Sequence, residues 1–162
     1  MPVFTPERVI QTLRRTPVVL GGLIEGLSQQ QAQTATDGPD GWSVVEIVCH
    51  LRDWEDITYK RTRQILDEDY PQFSGLDAAA MARERDYQHQ DLRQTFDALV
   101  AKRRELVTLV SGLTDEQWQR RALHPVWGDI STLDSSLNVI FHDLNHIEQV
   151  VKALGLPQGL VS

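Results

Sequence analysis

Two histidines near the end of the chain, His142 and His146, have the spacing of a metal-binding pair. If the segment FHDLNHIEQV is helical, they lie about one turn apart and project from the same side of the helix. Zinc and nickel bind imidazole nitrogen, and a catalytic site uses three protein ligands and leaves a position open for water or substrate. Two solvated histidines on a helix surface would have the same spacing, so a metal site needs a third ligand from elsewhere in the chain.

The candidate third ligand is His50, in a second predicted helix. His50 falls at the edge of the apolar side of this helix, where a side chain can reach a groove between helices. The chain has no HExxH motif, so the metalloprotease pattern is excluded. Three histidines drawn from two helices leave a coordination position open, and this suits catalysis better than structural bracing. The apolar side is centred on Val44, Ile47, Val48, Leu51, Trp54 and Thr58.

Four long segments with the regular apolar spacing of amphipathic helices must position these residues. The second begins with a capping box, in which Glu46 reaches back to the backbone N–H of Ser43, so Glu46 is interpreted as a cap and not as a ligand. Pro17, inside the first segment, is expected to bend or restart that helix. The predicted helices cover approximately residues 6–27, 43–66, 91–111 and 132–154.

The connections are interpreted as turns, short helices and irregular loops. The segment AAAMARER and the turn that starts at Thr114 are predicted to be short helices, whereas RRALHPVWGDIS is predicted to be irregular. No alternation typical of strands persists anywhere in the chain. The predicted fold is therefore all-α: a four-helix bundle with short extra helices in the connections, formed by a single domain over residues 1–162.

The fourth helix is predicted to face the bundle with apolar residues at alternating spacings of four and three. At about 100° per residue, His142 and His146 lie roughly 130–170° from the centre of this stripe. They are therefore expected on a second face, which contacts another surface or lines a groove. The predicted stripe consists of Leu133, Leu137, Ile140, Leu144, Ile147, Val151 and Leu154.

The composition fits one domain with a sizeable core, since 41% of the 162 residues are hydrophobic and 24% are charged. The net charge of −7 makes nucleic acid and anionic membrane surfaces unsuitable partners. The start of the chain has no signal-peptide pattern, and no apolar run is long enough to cross a membrane. The single Cys49 excludes an internal disulfide. We expect a cytoplasmic protein that acts on a small molecule.

Two stretches, GWSVVEIVCHLRDWE and FHDLNHIEQV, resemble the second-helix and fourth-helix signatures of the DinB/YfiT-like family. This is the metalloprotein family of that name and not the translesion polymerase. RRTPVVLGGLIEGLS and LVSGLTDEQWQRRALHPVWGDIS also resemble the family's first helix and its connection between the third and fourth helices. The resemblance therefore covers nearly the whole chain. The motif Trp-Ser-x-x-Glu-x-x-x-His together with a late His-x-x-x-His is fairly specific.

The resemblance implies a four-helix bundle that holds one divalent metal ion through His50, His142 and His146. Nickel and zinc are the first expectations, and manganese and iron also occur in the family. Members with known activities are mostly transferases or isomerases that use a low-molecular-weight thiol such as bacillithiol, mycothiol or glutathione. Dimers are common among them, so a homodimer is compatible with the resemblance. Some branches replace a ligand histidine by glutamate, whereas this chain matches the three-histidine form.

Several residues near the histidines are candidates for supporting roles. Asp53, one turn after His50, is the candidate to accept a hydrogen bond from that ring or to act as a base, although a solvated carboxylate fits equally well. Asn145 is a weaker candidate of the same kind. His124 and Trp127 are expected either to form the wall of a pocket or simply to pack within their loop.

Cys49, His89 and three arginines have no predicted role as metal ligands. Cys49 is expected to point away from His50 and to be a small packing residue, and His89 is expected to be exposed without a partner. Arg52, Arg61 and Arg63 could attract an anionic thiol, but basic side chains on helices are usually solvated.

Three functions remain open from the residues and the resemblance. The first is transfer of a low-molecular-weight thiol to an electrophile at the metal centre. The second is metal-assisted hydrolysis, in which Asp53 helps to take a proton from water. The third is a non-enzymatic helical dimer that binds metal.

Overall fold

A computed structural model describes residues 4–157, so the ends of the predicted domain 1–162 lie outside the described residues. Within them the chain forms seven α-helices, one 3₁₀ turn at Tyr87–His89 and one β-hairpin. The helices are α1 Pro6–Ile24, α2 Gln29–Thr34, α3 Val44–Asp67, α4 Ala78–Glu84, α5 Leu92–Ser111, α6 Asp115–Trp118 and α7 Thr132–Ala153. The strands are β1 Arg121–His124 and β2 Gly128–Ser131.

The four long helices α1, α3, α5 and α7 form a bundle, which confirms the predicted all-α fold. Helix α3 packs against α5 and α7, and α1 packs against the same two helices, so each long helix has two long neighbours. Their apolar sides meet in two buried clusters along the bundle. No helix among residues 4–157 combines the length and the apolar composition needed to cross a membrane.

Side-chain caps fix where the helices begin. At the start of α3, the Oε2 atom of Glu46 accepts a hydrogen bond from the backbone N–H of Ser43 at 2.8 Å, and the Ser43 hydroxyl accepts from the Glu46 N–H. The predicted capping box is therefore confirmed, and Glu46 is occupied there. Helix α7 begins in the same way with Ser131 and Asp134. Each cap satisfies N–H groups that lack a partner within the helix, which is why these helices start abruptly.

Helix α1 runs through Pro17 as one element, so the predicted restart of the helix is wrong. A proline cannot donate to the carbonyl four residues earlier, which here belongs to Leu13. The side chain of Arg103, on α5, donates to that carbonyl oxygen at 2.9 Å. A buried cation from another helix thus replaces the missing backbone hydrogen bond, and α1 can continue.

The segment RRALHPVWGDIS forms the β-hairpin, so the prediction that this segment is irregular is wrong. Strand β1 pairs antiparallel with β2, and Gly128 adopts a positive φ of 71° directly after the three-residue loop 125–127. Such loops commonly end in a left-handed residue, for which glycine is suited. Leu123 of β1 exchanges backbone hydrogen bonds with the segment 71–73, which follows α3. Strand β1 alternates between exposed and buried residues, but its exposed Leu123 and buried His124 hide this alternation in the sequence.

The buried side of α7 differs from the predicted stripe. Counted at about 100° per residue, the centre of the buried side lies roughly 80° around the helix axis from the centre of the predicted stripe. Leu144, which belongs to the predicted stripe, is 48% exposed. The reason is that polar residues occupy buried positions on this helix, and these do not contribute to an apolar pattern. The rotation places His142 and His146 closer to the core than predicted. The buried residues are Thr132, Ser135, Ser136, Val139, Ile140, Asp143 and Val150.

Candidate metal centre

The three predicted histidines converge at the contact between α3 and α7. The Nε2 atom of His142 lies 2.9 Å from Nε2 of His50 and 3.2 Å from Nε2 of His146. All three donor atoms lie within 4.8 Å of one another. His50 is buried, and the two histidines of α7 are partly buried. One ring from α3 and two from successive turns of α7 therefore point their distal nitrogens at a common point.

This arrangement fits a divalent metal ion. Nitrogen atoms that bind zinc at 2.0–2.1 Å in tetrahedral directions lie about 3.3 Å apart, close to the observed separations. If each neutral ring carries its proton on Nδ1, the three Nε2 lone pairs face one another and repel, and a cation between them would remove that repulsion. The cluster contains no fourth protein donor among the residues that the structure describes. A tetrahedral ion on these three rings would keep one position for a small molecule.

Two indole rings frame the histidines. Trp42, just before α3, meets the ring of His50 edge-on at 5.0 Å between centres and lies nearly parallel to the ring of His146. Trp54, one turn after His50, stacks on His142 with ring centres 4.5 Å apart. The indoles restrict rotation of the imidazoles and cover them with apolar surface. The centre is therefore preorganised by contacts that do not involve a metal.

A hydrogen-bond chain fixes the proton on His146. The Nε2 group of Gln149 donates to Oδ2 of Asp37 at 2.8 Å, so the amide oxygen of Gln149 faces Nδ1 of His146 and accepts a hydrogen bond from its N–H. This leaves the lone pair of the ring on Nε2, where a metal ion would bind. Asn145 is the residue predicted for this kind of role, but it is exposed. Gln149 lies one turn after His146, and its spacing of three residues was a signal that could have identified it.

The structure places Asp53 in a different network from the one predicted. Its carboxylate accepts hydrogen bonds from Arg52 at 2.8 Å, Arg85 at 2.6 Å and Tyr87 at 2.5 Å, and none joins it to His50 within residues 4–157. Burial opposes ionisation of Asp53, but the donors from Arg52, Tyr87 and Arg85 outweigh it and lower its pKa. A carboxylate with a lowered pKa takes up protons poorly. Its role as a base stays a prediction that this network weakens.

Burial keeps the three imidazoles neutral. It lowers the pKa of His50 to about 4 and the pKa of His142 to about 2, with a further contribution from the neighbouring histidines. The pKa of His146 is lowered for the same main reason, although its hydrogen bond to Gln149 acts in the opposite direction. Neutral imidazole is the form that binds metal. At neutral pH the rings therefore need not lose a proton before coordination.

These shifts predict that the metal-free protein loses stability as the pH falls from about 6.5 to about 4. In this window the unfolded histidines take up protons, whereas folded His50 and His142 remain neutral, so acid favours the unfolded state. For His50, whose folded pKa is about 4, the expected loss is on the order of 3 kcal/mol. Urea unfolding at several pH values measures it. The variant with glutamine at positions 50, 142 and 146 should be much less sensitive, and equal sensitivity would contradict the prediction.

A buried ion network lies beside the centre and was missed by the sequence analysis. Arg103, on α5, pairs with Glu55 of α3 and with Asp143 of α7, and each of these side chains is at most 7% exposed. Thr16 of α1 donates to Asp143 and accepts from Arg103 at 2.8 Å. All four long helices are thus joined by one set of buried polar contacts, in which α1 takes part through the Thr16 hydroxyl. Because Asp143 directly follows His142 in the sequence, the network helps to fix α7 relative to α3.

The remaining candidates lie apart from the three rings. Cys49 is buried, and burial raises the pKa of its thiol to about 11, so the predicted packing role is confirmed. His89 is exposed as predicted, but its Nδ1 atom lies 2.6 Å from Asp86, so the expected lack of a partner is wrong. His124 and Trp127 stack with ring centres 4.0 Å apart on the hairpin. Neither stacks on any of the three candidate ligand rings.

Comparison with known proteins agrees with the fold. The sequence model of the DinB superfamily matches residues 12–150 of this chain. A protein of Bacillus subtilis named "Putative metal-dependent hydrolase YfiT" is 28% identical over 148 residues, which are 90% of this chain and 82% of that protein. A protein of Geobacillus thermodenitrificans with the name "Putative metal-dependent hydrolase" is 28% identical over 112 residues, or 68% of this chain and 62% of that protein.

The solved structure of YfiT from Bacillus subtilis, described as a four-helix bundle of unusual topology, has the same fold. It superimposes with a TM-score of 0.86 at 24% sequence identity and covers 97% of this chain and 91% of that chain. The resemblance found in the sequence is therefore confirmed over almost the whole length. With the family model matching most of the chain, we conclude that this protein belongs to the DinB superfamily.

Proposed function

We propose that this protein is a metal-dependent enzyme whose active centre is one divalent ion held by His50, His142 and His146. The observation that carries the proposal is the convergence of three neutral Nε2 atoms at separations of 2.9 and 3.2 Å. The names of the relatives, which describe metal-dependent hydrolases, support metal dependence. An all-imidazole donor set suits zinc and nickel better than manganese, which prefers oxygen ligands. We therefore expect zinc or nickel before manganese or iron.

We further propose that the reaction is transfer of a low-molecular-weight thiol to an electrophile. A divalent ion at this centre would lower the pKa of a thiol and supply a thiolate at neutral pH. The thiol proton leaves to solvent, sulfur forms a bond to the electrophilic carbon, and the leaving group departs with its electron pair. The carboxylates near the histidine rings already accept hydrogen bonds from protein groups. This favours thiol transfer over a reaction in which a carboxylate must act as a base. Asp53 accepts three hydrogen bonds, and Glu46 is held in the cap of α3.

Hydrolysis is the second candidate, because both relatives are named as hydrolases. It requires a group that takes a proton from water, and Asp53 is the residue predicted for that role. The lowered pKa of Asp53 makes it a weak base. This is why thiol transfer stands first and hydrolysis second.

A paired assay separates the two reactions. Zinc-loaded and nickel-loaded protein is incubated with a panel of electrophiles and a small thiol, and separately with ester and amide substrates without thiol. We expect accelerated loss of thiol with the parent protein and none with His142→Ala, while His89→Ala behaves like the parent. Turnover of esters or amides that needs no thiol would instead establish hydrolysis. Bound metal without turnover in either assay would indicate the non-enzymatic metal-binding function.

A further inference from the structure

We propose that Arg61 binds a carboxylate of the small molecule whose other end lies at the histidine centre. The inference rests on the proposed function and names a class of ligand for it: a thiol that carries a carboxylate several bonds away from its sulfur. It is carried by the position of Arg61, by its missing counter-ion and by an unusual contact with His124.

Arg61 lies on the same face of α3 as the ligand candidate His50. Eleven residues separate them, which is close to three full turns and a rise of about 16 Å. Side chains on a helix lean towards its N-terminus, so the guanidinium of Arg61 points back towards His50. Trp54 stands between them: its indole stacks on His142, and Cζ of Arg61 is 5.9 Å from its ring centre. The guanidinium and the histidine centre therefore contact the same aromatic ring.

The charge of Arg61 has no carboxylate to balance it. Within residues 4–157 no acidic oxygen comes within 4.0 Å of its side chain, although Arg61 is partly buried. Its neighbours on the helix differ, since Arg52 pairs with Asp53 at 2.8 Å and Arg63 pairs with Asp67 at 3.0 Å. Burial lowers the pKa of Arg61, but guanidinium remains charged at neutral pH. A partly desolvated cation without a counter-ion is stabilised by an anion.

The contact between Arg61 and His124 leaves a donor without an acceptor. Nη1 of Arg61 points at Nε2 of His124 at 3.2 Å, while the backbone N–H groups of Val126 and Trp127 point at Nδ1 of the same ring at 3.2 and 3.4 Å. A neutral imidazole has one acceptor nitrogen and one N–H. Donors therefore approach both nitrogens of a ring that can accept at only one.

The two backbone donors indicate that Nδ1 is the acceptor, which puts the proton of His124 on Nε2. That N–H then faces the N–H of Arg61, and two donors meet without an acceptor between them. A carboxylate oxygen would accept from both groups and remove the mismatch. Among the residues that the structure describes, Arg61 makes one other hydrogen bond, to the backbone carbonyl of Ser74 at 2.8 Å. His124 is buried, whereas Arg61 is partly exposed and its neighbours Ser74 and Trp127 are exposed, so a carboxylate would approach from the Arg61 side.

The test compares two thiols that differ only in charge at the far end, 6-mercaptohexanoate and 6-mercaptohexan-1-ol. Each is titrated into cobalt-loaded protein, and the thiolate-to-cobalt absorption reports binding without any turnover. We expect the parent to bind the acid about tenfold more tightly than the alcohol, as for a charge-assisted hydrogen bond. Arg61→Gln should remove this preference and leave the affinity for the alcohol unchanged. Arg63→Gln, two residues along α3, should keep the full preference.

A second variant separates charge from folding. Arg61→Lys keeps the positive charge without the planar fork and is expected to retain part of the preference for the acid. Equal binding of the two thiols by the parent would overturn the inference, as would a preference that persists in Arg61→Gln. In both cases thiolate absorption is present, and the proposed metal centre stands. Absence of thiolate absorption with either thiol would refute the proposed thiol chemistry, and this inference with it.

Discussion

Replacement of His50 by alanine is expected to lower the metal affinity of the protein by more than about 100-fold. Loss of groups that merely orient a ligand costs 10–100-fold, and this change removes a ligand itself. The two remaining rings, His142 and His146, both lie on α7 and leave half of a tetrahedral site open. We expect near-stoichiometric metal in the parent and almost none in His50→Ala after dialysis, measured by inductively coupled plasma mass spectrometry. His142→Ala should behave in the same way.

The matched control for this experiment is His89→Ala. His89 is a histidine with a side chain that is 72% exposed and paired with Asp86, and it is not part of the cluster. This variant should retain the metal content of the parent, which excludes a general effect of removing a histidine. If His50→Ala retained its metal while His142→Ala lost it, the proposed ligand set would need a different third member.

Replacement of Arg103 by methionine is expected to destabilise the protein by about 3–5 kcal/mol, the usual cost of removing one partner from a buried ion pair. The change leaves Glu55 and Asp143 buried without a cation. It also leaves the carbonyl of Leu13 without the donor that replaces the missing N–H of Pro17. Burial already raises the pKa of Glu55 despite its pairing with Arg103, so the variant should be least stable where this carboxyl is ionised. Urea unfolding of the metal-free protein at neutral pH measures the loss.

Arg104→Met is the control for that change. Arg104 is the next residue of α5 and is exposed, so its replacement should alter the free energy of unfolding by less than about 0.5 kcal/mol. Similar stability of the two variants would mean that the network contributes little to the fold. If Arg103→Met loses much of its free energy of unfolding and also binds metal more weakly, the network helps to hold the two histidines of α7 in position.

Local patterns in the sequence predicted the long helices well. The bounds of α3, α5 and α7 follow from apolar spacing and from caps such as Ser43 with Glu46, which act within one turn. The same kind of information brought His50, His142 and His146 together as candidates, because motif spacing and helix geometry are local. Their convergence in space is now observed, and their binding of a metal stays a prediction.

Features that depend on partners far away in the chain were not predictable. Asp53 has the right spacing to reach His50, but Arg85 and Tyr87, more than 30 residues later, take its oxygens. The contact of Arg103 with the carbonyl of Leu13 joins residues 90 positions apart. Buried polar residues likewise shifted the inner side of α7 away from its apolar stripe. In each case a tertiary contact outweighed the local pattern.

The central claim is that three imidazole nitrogens hold one divalent ion, and X-ray absorption spectroscopy of zinc-loaded protein tests it most directly. We predict a first shell of three imidazole nitrogens at about 2.0–2.1 Å and one further light atom, in tetrahedral geometry. The outer-shell scattering should correspond to three histidine rings. A shell of oxygen atoms alone, or fewer than three imidazoles in the parent, would contradict the claim.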